Sequence, residues 1–181
     1  MVAIFYANRR DKKKTLAVVI ELGHRSTLKN EITPGGLTHD WEVYVQGKDG
    51  APIEKFIEKV VFNLPKDFPI PIRTLNEPPF IIKEAGYGSF RFQIDVHYKN
   101  PDKKENSFIY DLLLKPDSNY GHYKQQTLFF VRPSRDWKKT LLQGGALPLC
   151  ESKDVIVREI EETSDSDSLS SLDEEMKPPK V

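Results

Sequence analysis

Alternation of apolar and polar positions runs through most of the first 150 residues. "TLAVVIEL" (15–22), "WEVYVQG" (41–47), "IEKVVFNL" (57–64), "FIIKEA" (80–85), "SFRFQIDVHY" (89–98) and "SFIYDLLLK" (107–115) are rich in β-branched, aromatic and aliphatic residues. Each is bounded by Gly, Pro, Asn or Asp, which marks a strand rather than a helix. In the fifth run Phe90, Phe92, Ile94, Val96 and Tyr98 share one face, and Arg91, Gln93, Asp95 and His97 share the other. That is the pattern of an antiparallel strand with one face in a core. With a shorter run at "TLFFV" (127–131), the pattern predicts an all-β fold, an antiparallel β-sandwich. One helix is expected at "PSRDWKKTLLQGG", with Ser134 as N-cap, Trp137, Leu141 and Leu142 on one face, and Gly144–Gly145 as the stop.

Two connections carry no such alternation. "GHRSTLKNEITPGGLTH" (23–39) is polar and glycine-rich, and "PKDFPIPIRTLNEPP" (65–79) holds five prolines, which bars it from the centre of a sheet. Loops of this length in a compact domain are expected to bind something. A third segment, "EAGYGSF" (84–90), sets Tyr87 between Gly86 and Gly88. Those glycines permit positive φ or close approach of another group. On its own the segment reads either as a hairpin turn with a surface tyrosine or as a loop that aims the ring at a ligand.

Composition divides the chain. Positive and negative charges cancel over all 181 residues, yet residues 151–181 carry ten acidic and four basic side chains. The expected organisation is a basic arm (1–14) with its densest cluster at Arg9–Lys14, a folded domain (15–145), and an acidic, serine-rich tail (146–181) too poor in apolar residues to repay its ordering. The basic cluster is either a solvated arm or a weak contact for DNA phosphates. Within the tail, Val155–Ile156–Val157 and Ile160 precede a run of acids and serines. This reads either as a last edge strand or helix, or as a SUMO-interacting stretch (155–160) that adds a strand to its partner.

Catalytic chemistry is hard to place. His24, His39, His97 and His122 lack metal-ligand spacing, Cys150 is alone, and no phosphate-binding or dinucleotide glycine motif occurs. No apolar run approaches the ~20 residues of a membrane span. A non-catalytic binding module without metal or cofactor, in the nucleus or cytoplasm, is the expectation.

"LGHRS", "THDWEVYV", "IEKVVFNLPKDFPIPIR", "EPPF", "EAGYGSF", "IDVHYKN" and "YDLLL" resemble, in order and spacing, the motifs of the YEATS domain family, most of all its AF-nine and ENL-type branch. The resemblance covers about residues 15–145. It implies an immunoglobulin-like sandwich that reads acetylated or crotonylated lysine on histone tails, within chromatin or transcription complexes of the nucleus. It implies that Tyr87 and Phe68 are the two walls of an aromatic sandwich around the acyl amide, with Gly86 and Gly88 allowing close approach and Phe90 at the floor. It further implies that Asp111 meets a histone arginine. The residues themselves leave Phe90 open as plain core and Asp111 open as a turn cap, and assign Trp41 to the core.

Three positions depart from the family pattern. Leu37 replaces an aromatic, Pro65 replaces a histidine, and Asp67 replaces the serine that accepts the lysine amide N–H. Aspartate can accept the same hydrogen bond. Beside two rings it also suits an ammonium, so weaker discrimination against unmodified lysine is expected. A divergent scaffold that works without acyl-lysine binding is the alternative function.

Overall fold

A computed structural model describes residues 4–7, 14–100, 105–149 and 156–159. The strands are β1 (Ile4–Ala7), β2 (Thr15–Leu28), β3 (His39–Gly47), β4 (Ile57–Asn63), β5 (Ile72–Leu75), β6 (Phe80–Gly86), β7 (Phe90–Tyr98), β8 (Glu105–Leu112), β9 (Tyr120–Val131), β10 (Leu147–Pro148) and β11 (Ile156–Glu159). The helix α1 spans Arg135–Gln143.

Two antiparallel sheets form the sandwich. In the first, β9 pairs one edge of β2, while β3 and the short β10 share the other, and β6 follows β3. The second has the order β5-β4-β7-β8. Their inner faces meet in a core that includes Ile20, Val43, Val45, Val60, Phe62, Ile94, Val96, Tyr110 and Leu112. Burial of each such side chain contributes ~1.5–3 kcal/mol relative to exposure, before chain entropy is set against it. The expected helix is present. Ser134 Oγ accepts from the Trp137 N–H at 3.3 Å, Leu141 is buried, and Trp137 lies edge-on to Phe130.

The structure corrects the strand reading at three places. The segment 23–28, taken from its polarity as loop, continues β2. Leu16, Val18, Ile20, Leu22, His24 and Ser26 form one buried row, and the last two conceal the pattern because they are polar. Gly23 is needed there: a Cβ would lie 2.3 Å from the Tyr44 ring of the facing strand. Second, β5 interrupts the proline-rich segment 65–79, and it sits at a sheet edge, where flanking prolines disrupt no neighbour. Third, β9 starts seven residues before "TLFFV".

The packed chain also runs beyond residue 145. Ala146 and Leu149 are buried and Leu147–Pro148 pairs with β2, although the sequence reading starts the tail at 146. Ile156–Glu159 forms a parallel two-stranded sheet with Ile4–Ala7. The remainder of the acidic tail, and the basic cluster up to Lys13, lie outside the described residues.

Candidate functional site: an aromatic cleft at one end of the sandwich

At the end of the sandwich where β3 begins, β6 ends and β7 begins, three loops meet around a cleft of about 390 Å³. Leu37, Pro65, Asp67, Phe68, Gly86, Tyr87, Gly88 and Phe90 all line it, together with Pro69, Glu84, Ala85 and Ser89. Eight residues chosen from three separated segments of the sequence thus converge on one concavity.

Each loop is held by its own contacts. The first bears Leu37, whose N–H donates to Thr33 Oγ1 at 3.0 Å; Gly36 takes a φ of 79° to close that turn. The second bears Phe68. The Phe68 N–H donates to the Pro65 carbonyl at 3.1 Å, and the loop closes where the Leu64 N–H donates to the Pro71 carbonyl at 2.7 Å. Its ring packs against two others, with centroids 5.8 Å from Trp41 and 5.3 Å from Phe90; Trp41 and Phe90 lie 5.7 Å apart. Arg73 of β5 ties the end of this loop to β6 through a 2.8 Å contact with Glu84, and donates from Nε to the Ile70 carbonyl at 2.5 Å.

The third loop carries Tyr87, which is 77% exposed. Of the two reasons expected for Gly86 and Gly88, positive φ does not hold, because neither lies in the left-handed region, whereas close approach holds at Gly86. At Gly86 a Cβ would fall 2.9 Å from Trp41 Nε1, so only glycine lets the strand end rest on the indole. At Gly88 a Cβ would meet nothing within 4 Å.

Polar groups that the sequence did not reveal hold this third loop from below. Ser89 Oγ accepts from the Leu114 N–H at 2.8 Å. His39, 1% exposed, donates from Nε2 to the Lys115 carbonyl at 2.9 Å, and its Nδ1 meets Thr38 Oγ1 at 2.8 Å. The Thr38 N–H in turn donates to the Gly86 carbonyl at 3.0 Å. His24 is fully buried, with Nδ1 2.7 Å from the Tyr110 hydroxyl and Nε2 3.0 Å from the Leu113 carbonyl. Burial lowers its pKa below the ordinary histidine value, against the opposing pull of the Leu113 carbonyl. Ser89 and the two histidines therefore grip three successive residues, 113–115, beside the cleft. The available signal was parity: His24 falls in register with Ile20 and Leu22, and His39 with Trp41, Val43 and Val45.

Asp111 is not in the cleft. It projects from the outer face of β8 between buried Tyr110 and Leu112, opposite Arg91 of β7. Arg91 Nε lies 2.6 Å and Lys124 Nζ 3.3 Å from its carboxylate, and the hydrogen bond from Arg91, helped by Lys124, holds its pKa below the usual carboxylate range. Phe90 is half-buried, lines the cleft and packs against Phe92 and the core. Trp41 is core, at 2% exposure. His97 is half-buried, its Nδ1 3.1 Å from Glu105. Among the described residues no group of three or more His, Cys, Asp or Glu is placed to hold a metal, and no helix is long and apolar enough to cross a membrane.

Comparison with known proteins decides the family. Residues 36–116 match the model of the YEATS family. This chain carries a YEATS domain. It is 39% identical to Protein AF-9 of Mus musculus over 134 residues, which are 72% of this chain and 24% of the relative, and 35% identical to the AF-9 homolog of Saccharomyces cerevisiae over 94 residues, 51% of this chain and 42% of that one. The chain thus spans about a quarter of the mouse protein's length. A crystal structure of the Yaf9 YEATS domain bound to H3K27ac superposes with a TM-score of 0.64 at 28% identity, covering 71% of this chain and 94% of that one. The Yaf9 YEATS domain recognising an H3K122suc peptide superposes with a TM-score of 0.61 at 29% identity, covering 71% and 93%. The immunoglobulin-like sandwich of this YEATS domain agrees with the strand pattern of its sequence.

Proposed function

We propose that this YEATS domain is a non-catalytic reader of acylated lysine on histone tails, acting in the nucleus within chromatin or transcription complexes. The observation that carries the reading is the convergence of Phe68, Tyr87 and Phe90 on one open cleft. A planar acyl amide between the Phe68 and Tyr87 rings gains dispersion and π contact worth ~0.5–1.5 kcal/mol beyond its buried area. The Tyr87 backbone N–H is the donor we assign to the acyl carbonyl, and Asp67 the acceptor for the lysine amide N–H. The superposition on Yaf9 bound to H3K27ac supports the choice of ligand. A histone arginine at Asp111 must share that carboxylate with Arg91 and Lys124, so this contact adds specificity rather than much affinity.

A second reading, a YEATS scaffold that acts through its surface, draws on the changes at Leu37, Pro65 and Asp67 in the cleft itself. The basic arm as a DNA contact and residues 155–160 as a SUMO-binding strand remain proposals of lower weight. For the latter, a partner strand would add to the edge of Ile156–Glu159 that does not pair with Ile4–Ala7, or take the place of that strand. The deciding experiment is a peptide array of unmodified, acetylated and crotonylated histone sequences probed with the whole chain. Binding that requires the acyl mark supports the reader. Uniform silence selects the scaffold, and binding that tracks peptide charge alone selects electrostatics.

A further inference from the structure

Among the described residues, the charged side chains lining the cleft are Asp67 and Glu84. Glu84 is neutralised: Arg73 contacts one carboxylate oxygen at 2.8 Å and the Ala85 N–H donates to the other at 3.3 Å. Among the described residues, the Asp67 carboxylate has no hydrogen-bond or ion-pair partner. Its neighbour Lys66 is exposed and does not line the cleft. Among the described residues the cleft therefore presents one uncompensated negative charge and no positive one.

A cube of 390 Å³ has an edge of about 7 Å, close to a Debye length (~8 Å at physiological salt), so a charge seated across the cleft from Asp67 is only partly screened from it. We infer that this cleft sorts acyl groups by charge, with Asp67 the residue that sets specificity: neutral acyl chains are accepted and acyl chains ending in a carboxylate are rejected. The inference rests on the acyl-lysine reading above and names the class of acyl group it takes. At the effective dielectric of a surface cleft, the repulsion between two carboxylates at this spacing corresponds to about tenfold in affinity.

The test compares one histone peptide carrying unmodified lysine, succinyl-lysine or the monoamide of succinyl-lysine, which has the same shape without the charge. Binding is measured by calorimetry with the full chain, its Asp67→Asn variant and its Asp67→Ser variant. The wild type should bind the amide about tenfold more tightly than the succinyl peptide. The gap should shrink as salt is raised, and both variants should close it by strengthening the succinyl complex. Equal affinity of the wild type for the two acylated peptides, with both exceeding unmodified lysine, overturns the charge inference and leaves the reader intact. A gap that persists in both variants also overturns it, since Asp67 is then not its source. A folded wild type that ignores every acylated peptide removes both the inference and the reading beneath it.

Discussion

The two walls of the cleft are built on different physics. Phe68 is held by packing: it leans on Trp41 and Phe90, and its loop is clamped by the Arg73–Glu84 pair. Tyr87 has almost no packing of its own, at 77% exposure. Its loop is held by Gly86 seated on the Trp41 indole, by the Thr38 N–H donating to the Gly86 carbonyl and by the Leu114 N–H donating to Ser89 Oγ, next to the segment that His39 and His24 fix. One wall thus shares its energy with the core, whereas the other is a ring on a polar bracket. On the proposed acyl-lysine reading, removing the first ring should damage fold and binding together, and removing the second should separate them.

The largest test is Phe68→Ala. A buried Phe→Ala costs ~3–5 kcal/mol, and a half-buried ring at the core margin should cost about 2. Chemical denaturation should show that loss, alongside abolished acyl-peptide binding. An unchanged midpoint would make Phe68 a free wall like Tyr87 and erase the contrast.

Gly86→Ala against Gly88→Ala comes next. The first forces the Trp41 ring or the strand end to move and should cost ~1–3 kcal/mol. The second meets open space without a positive φ and should stay within ~0.5 kcal/mol. Equal costs would mean that the bracket is set by turn conformation and not by contact with Trp41.

Tyr87→Ala should weaken acyl-peptide binding about tenfold, or ~1.4 kcal/mol. Its thermal midpoint should remain that of the wild type, because an exposed ring contributes little to folding. A drop in midpoint comparable to that of Phe68→Ala would show that the Tyr87 ring is packed in solution.

A smaller effect separates the walls by pH. Burial keeps the folded-state pKa of His24 below its unfolded value of about 6.5, so the unfolded chain binds the proton more readily. The corresponding stability is fully present above that value and is lost as pH falls below it. Protection factors, that is amide exchange corrected for its intrinsic pH dependence, should therefore fall at 113–115 and at the Tyr87 loop between neutral and mildly acidic pH, while those of the Phe68 loop change less. His24→Gln should flatten the dependence; a uniform response of both loops would argue against a separate bracket.

The smallest effect lies outside the cleft. Arg91→Ala should move the Asp111 carboxyl titration upward toward the ordinary aspartate value, followed by NMR. Because the folded pKa of Asp111 is depressed, its stabilising share is present above ~3.9 and disappears as pH falls through the lower folded value. An unmoved titration would show that Asp111 is already free for a peptide arginine.

Much of this was legible in one dimension. Period-two runs located six long strands, and Ser134 with Gly144–Gly145 bounded the helix, because strand alternation, capping and stop signals are local. The resemblance to YEATS motifs picked out eight residues that the fold brings to one cleft. Where the sequence misled, the cause was polar residues at buried positions: His24 and Ser26 hide half of β2 behind a loop-like composition. Only the tertiary structure shows that Gly86 is required by an indole 45 residues away in the chain, that Asp111 is occupied by Arg91 and Lys124, and that Asp67 has no partner among the described residues. Alternation records which side of a strand faces inward. It holds no record of which groups meet there, and hydrogen bonds, ion pairs and steric contacts between distant segments exist only once the sheets have closed on each other.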